Sequence, residues 1–170
     1  MVDRNQETAD RTVEQLEQIG SKAKAIWADI SDLEAVDRMY AETLENFETL
    51  DGIVHCAGIG IERTIMETTI EEWNRIISVN LTGTFLMLRE AWHAHMGKHG
   101  GAIVNIVADF WNGMPMMAHT GAARAGVGKD WLLSALSPGC WALVFALSSS
   151  FKRLSARFRA LSRACLLYTS

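Results

Sequence analysis

At 170 residues, with 49% hydrophobic and 21% charged residues, the chain is long enough to bury a core as one domain. Its formal net charge is −4, and no nucleic-acid partner is expected. Cys56, Cys140 and Cys165 are odd in number and widely spaced, with no CxxC and no paired histidines at ligand spacing, which argues against a disulfide framework or a metal site and for a reducing cytoplasm.

Residues 6–20 read as a helix, with Val13, Leu16 and Ile19 on one face and Gly20 as its stop. "KAKAIWADI" (22–30) alternates and then runs apolar, as a strand does. Ser31 is the candidate cap of a second helix, with Leu33, Val36, Met39, Tyr40 and Leu44 at helical spacing. "GIVHCAGIG" (52–60) has the pattern of a buried parallel strand and its exit loop. Residues 70–97 predict one or two long helices, and "GAIVNIVA" (101–108) another buried strand. Alternation of helix and strand at this spacing implies right-handed crossovers and an α/β doubly wound parallel sheet. Ligands of such sheets bind at the carboxyl ends of the strands, so the residues just after each strand are the candidates.

The charge is uneven. Residues 1–127 hold 10 Lys/Arg and 19 Asp/Glu, whereas residues 128–170 hold 6 Lys/Arg and only Asp130. Serine shifts at the same place, from three residues before Gly128 to eight after Val127. Such a break marks two segments of different job or different origin.

At the strand ends stand Asp3, Asp29 and "HCAG" (55–58), and Asn80 lies where two helical stretches join. Singly, each has a plain structural reading: Asp3 as a solvated terminal residue, Asp29 as a turn cap, Asn80 as a helix cap, His55 as a satisfied loop histidine. Together, "VDRN", "ADISD", "DGIVHCAG", "IISVNLTGTF" and "GAIVNIV" come in one order and spacing over residues 2–127. In these five motifs the chain resembles the short-chain dehydrogenase/reductase family.

The resemblance implies a Rossmann-like fold and an oxidoreductase that moves hydride between a nicotinamide and a small-molecule substrate. It implies that Asp3 accepts from the adenosine ribose hydroxyls, favouring NAD over NADP, with Arg4 softening the preference. Asp29 and the Ile30 backbone would meet adenine. Cys56, Ala57 and Gly58 would line the cofactor in place of the family's Asn-Ala-Gly, and Asn80 would hold a water of the proton relay.

The chain departs from the family at its chemistry. Val107 and Ala108 stand where a serine is usual, and Thr120 and Arg124 where the family has Tyr-x-x-x-Lys. A threonine hydroxyl titrates too high to replace a phenol, and arginine keeps its charge without releasing a proton. "AHTGAARAGV" (118–127) is similar to peroxisomal-type trans-2-enoyl-CoA reductases, whose second Tyr-x-x-x-Lys begins directly after this stretch. Here those positions are Gly128 and Leu132. The resemblance therefore implies Asn80, Thr120 and Arg124 as the catalytic-site residues present, with Arg124 able to hold the nicotinamide ribose. His119 is the remaining titratable candidate, with no role in the family pattern, and Met114, Met116 and Met117 read equally as a substrate lining or as loop packing. The competing reading is a non-catalytic relative that binds or oligomerises.

Against the family's pattern the first strand, the Gly-rich loop and the first helix are missing, and residues 128–170 read as a non-family tail from a shifted frame. Residues 131–151 are apolar enough to span a bilayer, but Pro138-Gly139 breaks the stretch and five serines dilute it. The expectation is a cytoplasmic protein without a membrane partner. The apolar face of Val79, Leu81, Phe85, Leu86, Leu88 and Trp92, on the helix through which the family commonly pairs, predicts a homodimer or homotetramer.

Overall fold

The computed structural model describes residues 1–108 and 114–128, and the backbone of 140–147. Leu132 and most of the apolar stretch 131–151 lie outside the described residues. The elements follow the predicted alternation: β1 (Val2–Asp3), α1 (Gln6–Gln18), β2 (Ile26–Trp27), α2 (Leu33–Phe47), β3 (Gly52–His55), α3 (Ile70–Ile77), α4 (Gly83–Ala91), α5 (Gly97–His99), β4 (Gly101–Ala108), α6 (Ala118–Gly128) and β5 (Cys140–Leu147). All strand pairs are parallel. The described strands form two groups, β1-β2 and β3-β4-β5.

Local chemistry sets the element ends. Asn5 caps α1 by accepting from the Thr8 amide at 3.2 Å. The cap of α2 is Asp32, not the predicted Ser31, because the Ser31 hydroxyl is committed to Asp29 Oδ1 at 2.6 Å. Asp32 instead accepts from the Glu34 amide at 3.1 Å. Thr69 and Glu72 form a reciprocal capping box at the start of α3.

The predicted strand over 22–30 contracts to Ile26–Trp27, since its ladder partner β1 offers only two residues. The strand predicted from 52 ends at His55, and the chain then leaves the sheet. Residues 70–99 form one continuous helical run, interrupted by π-helical turns at Ser78–Thr82 and Trp92–Met96. The compositional break after Val127 is not a break in the sheet: the apolar "CWALVFAL" of β5 pairs with β4 over its whole length.

The core lies between α2, α4 and the strands, where Val36, Met39, Tyr40, Met87, Leu88 and Ile103 are buried together. The Tyr40 hydroxyl donates to the Met87 carbonyl at 2.8 Å, and burial pushes its phenol well above the ordinary value. The apolar face predicted for association is mostly spent inside. Leu88 is buried, Val79 and Leu86 pack on the core, and Leu81 lies against Gly126 of α6. Only Phe85 of those six stands exposed. Among the described residues no helix is long and apolar enough to cross a membrane.

On α3, Ile76 is 0% exposed and Ile70 is 69% exposed, so the same substitution has different costs. Ile76→Val should lower stability by about 1 kcal/mol, and Ile70→Val by less than about 0.5 kcal/mol. Urea denaturation of the two variants checks the difference.

Candidate active site

The two strand groups frame a groove of about 650 Å³, lined by Asp3, Arg4, Asp29, Ile30, Cys56, Ala57, Gly58 and Ile59 among others. Six positions singled out in the sequence for cofactor binding thus meet in one place. Each follows or ends a strand: Asp3 closes β1, Asp29 and Ile30 lie just past β2, and Cys56 to Gly58 follow β3. The carboxylates also hold their own loops. Asp3 Oδ1 accepts from the Asn5 amide at 2.8 Å. Asp29 Oδ1 accepts from the Ser31 hydroxyl and, at 2.9 Å, from the Ser31 amide, and these bonds hold its carboxyl below the ordinary value. Cys56 is a half-buried thiol.

Asn80 sits fully buried within the first π-helical turn. Its Oδ1 accepts from the Ile59 amide at 2.8 Å and its Nδ2 donates to the Ile59 carbonyl at 2.8 Å. Asn80 is therefore not a helix cap: its side chain clamps the loop that leaves β3. Its own carbonyl accepts from the Thr84 hydroxyl at 2.8 Å. With that proton committed, Thr84 Oγ1 is left to accept, and His55 Nε2, 3.2 Å away, is the donor. His55, the last residue of β3, is a buried strand residue and not the loop histidine predicted, although it is satisfied. Burial, aided by the Arg124 charge, lowers its pKa to about 4, so it is neutral near pH 7.

On α6, Thr120 and Arg124 stand four residues apart on one face. The Arg124 guanidinium packs against Gly58: a Cβ built there would overlap it and come within 3.1 Å of Asn80 Oδ1. A side chain at 58 would oblige the guanidinium to move. Among the described residues Arg124 makes no ion pair, its Nε is buried without a hydrogen-bond partner, and burial lowers its pKa from the ordinary value. The Thr120 hydroxyl is likewise buried and unpartnered. His119 is fully buried, and its Nδ1 accepts from the Thr120 amide at 2.9 Å, so the imidazole satisfies a first-turn donor of α6.

The methionines pack the loop for the most part. Met114 lies against Gly121 and Met117 against Gly60, while Met116, at φ +58°, is exposed. Two contributors escaped the sequence reading. Thr84 carries the link from His55 to Asn80, and its only signal is its place four residues after Asn80. Asn105 is buried with both side-chain amide atoms unpartnered and pairs in register with His55. A lone polar residue inside "GAIVNIVA" was its signal.

The His55 shift has a pH consequence. Its folded value, about 4, lies below the ordinary 6.5, so the unfolded chain binds the proton more readily. The stabilisation is present above pH 6.5 and is lost as pH falls through about 4, amounting to about 3 kcal/mol. His55→Asn should flatten this slope in urea denaturation between pH 7.5 and 4. Arg124→Gln should raise the His55 midpoint in an NMR titration.

The profile of the short chain dehydrogenase family matches residues 1–130. The chain is 41% identical over 101 residues to glucose 1-dehydrogenase 2 of Bacillus subtilis (strain 168), covering 58% of this chain and 39% of that protein. It is 33% identical over 121 residues to a 3-oxoacyl-[acyl-carrier-protein] reductase of Synechocystis sp. (strain ATCC 27184 / PCC 6803 / Kazusa), covering 70% of this chain and 49% of that protein. The chain thus spans half or less of the length of these two relatives. A short chain dehydrogenase from Mycobacterium smegmatis superposes with a TM-score of 0.80 at 27% identity, covering 98% of this chain and 72% of that one. With the family profile spanning more than half of its length, and with strand-end residues gathered around one groove, the chain belongs to the short chain dehydrogenase family.

Proposed function

We propose that the chain is the nucleotide-binding part of an NAD(P)-dependent oxidoreductase, with NAD preferred. One observation carries the reading: Asp3, Asp29, Ile30, Cys56, Ala57 and Gly58, each at or just past the end of a parallel strand, line one cavity that runs between β1 and β3. The groove chemistry fits a dinucleotide, with carboxylate acceptors for ribose hydroxyls on one wall and the β3 exit loop on the other. When bound, the nicotinamide would supply or take the hydride. This chain's residues bind and orient. Asp3 repels a 2′-phosphate, and Asn80 fixes the β3 exit loop beside the groove. Arg124, held against Gly58, brings a fixed positive charge to the end of β3. An enoyl thioester is the substrate class suggested by the "AHTGAARAGV" stretch, because double-bond reduction does not need an acid at Thr120.

Among the described residues no Gly-rich loop opens a helix toward the groove, so binding should be weak, with a Kd for NADH above about 10 µM. Asp3→Ser should move the NADH-to-NADPH affinity ratio toward NADPH by about tenfold, measured by calorimetry. An unchanged ratio would remove Asp3 from the site.

A symmetric homo-oligomer is part of the same proposal. Ile70, Trp73 and Phe85 are exposed along the continuous 70–99 run, and they provide the apolar surface that the inward-facing residues do not. Phe85→Glu should shift the sedimentation coefficient toward that of a monomer. A chain that sediments as a monomer before substitution contradicts the proposal.

A further inference from the structure

We infer that His95 and His99 form a chelating pair for a divalent transition-metal ion of the nickel, copper and zinc class, at the end of the helical run that leads into β4. Neither histidine lines the groove, so the pair stands outside the oxidoreductase reading. The structure corrects the expectation that no histidines pair at ligand spacing. His95 and His99 are four residues apart, and the helical run sets one ring over the other, with centroids 4.2 Å apart and planes 19° from parallel. Among the described residues neither imidazole takes part in a hydrogen bond or an ion pair, so the ring nitrogens are open to a ligand from solution. His99 is exposed and His95 half-buried, which leaves both within reach of an ion.

Geometry and backbone both suit a chelate. With metal–nitrogen bonds of about 2.1 Å, two imidazole nitrogens on one ion stand roughly 3.0 to 3.4 Å apart. The 4.2 Å stack is a small ring rotation away from that, and the broad χ2 preference of histidine permits the rotation at little cost. The turn between the rings is already fixed. Met96 is buried, the Gly100 amide donates to the Met96 carbonyl at 2.9 Å, and Trp92 fills the space that a side chain at Gly97 would take. Binding therefore orders little that is not ordered beforehand. The carbonyls that end the run carry the negative end of the helix dipole, which favours a cation there. Lys98, next to His99 in the chain, is exposed, so water screens its charge.

The donor set selects the ion. Among the described residues no third His, Cys, Asp or Glu joins the pair, so water completes the coordination shell. A closed structural zinc site needs four protein ligands, and calcium and magnesium need oxygen. Two imidazoles with water suit the late first-row ions.

The test uses the whole chain carrying ¹⁵N-labelled histidine, following each imidazole by NMR at pH 7.5 during titration with zinc chloride or magnesium chloride. Zinc should shift one ring nitrogen of His95 and one of His99 together and saturably, while His93 stays behind. Magnesium should shift none of them. His99→Ala should weaken zinc binding at His95 by more than about tenfold, and His95→Ala should do the same at His99, because a chelate lost at one end is lost at both. His93→Ala should keep the affinity within about twofold. Zinc should also slow hydrogen exchange of the Gly100 amide in the unsubstituted chain and in neither chelate variant. Amide resonances of β4 and α2 report whether each variant keeps its fold. No saturable shift of the two rings below about 1 mM zinc overturns the site. A His95 response unchanged in His99→Ala overturns the chelate, since the rings then bind singly. An equal response to magnesium overturns the class of ion.

Discussion

Asn80 gives its entire side-chain amide to the backbone of one residue, Ile59, and the arrangement around the groove depends on that pair of bonds. A buried amide must find both a donor and an acceptor, and one extended residue of the β3 exit loop supplies both at once. The loop carrying Cys56, Ala57 and Gly58 is thereby tied to the helical run of 70–99, while β3 ties it to the sheet through the β4 ladder. A π-helical turn at Ser78–Thr82 accompanies the bond, and the Thr84 hydroxyl, bonded to the Asn80 carbonyl, extends the link to His55 at the end of the strand. Strand end, exit loop and helix are thus one polar unit inside an apolar setting, where each bond is strengthened by the absence of water.

The polar unit also explains the protonation of its members. Among the described residues no carboxylate pairs with His55, and it lies near the Arg124 charge, so it is held neutral and serves as a donor. Arg124 keeps its charge beside Gly58, and among the described residues no carboxylate pairs with it. The histidine answers its environment by staying deprotonated, whereas the arginine keeps its charge.

The relation to the relatives has the same physical basis. Residues 1–130 match the family, and they contain the strand-end positions of the groove together with the Asn80 clamp. α6 carries Thr120 and Arg124 at the positions where the sequence resemblance led one to expect Tyr-x-x-x-Lys. α6 packs on the strands and on the 70–99 run at several places, among them Gly58 beside Arg124, Gly60 beside Met117 and Leu81 beside Gly126.

The sequence by itself determined the alternation of helices and strands, the parallel sheet and the strand-end candidates, because hydrophobic period and glycine stops are local properties. It also set apart Asn80 and the departure at Thr120 and Arg124, since each stands at a fixed distance from a recognisable pattern. Only the tertiary structure decided lengths and partners. β2 shrank to two residues because β1 had only two to pair with, and Asp32 took the cap because Ser31 was held by Asp29. His55 became a buried donor because Thr84, 29 residues away in sequence, has its one proton committed elsewhere. The surroundings of Arg124, which among the described residues forms no ion pair, are of the same kind: a charge is compensated or not according to what the fold brings beside it, and no spacing along the chain states that.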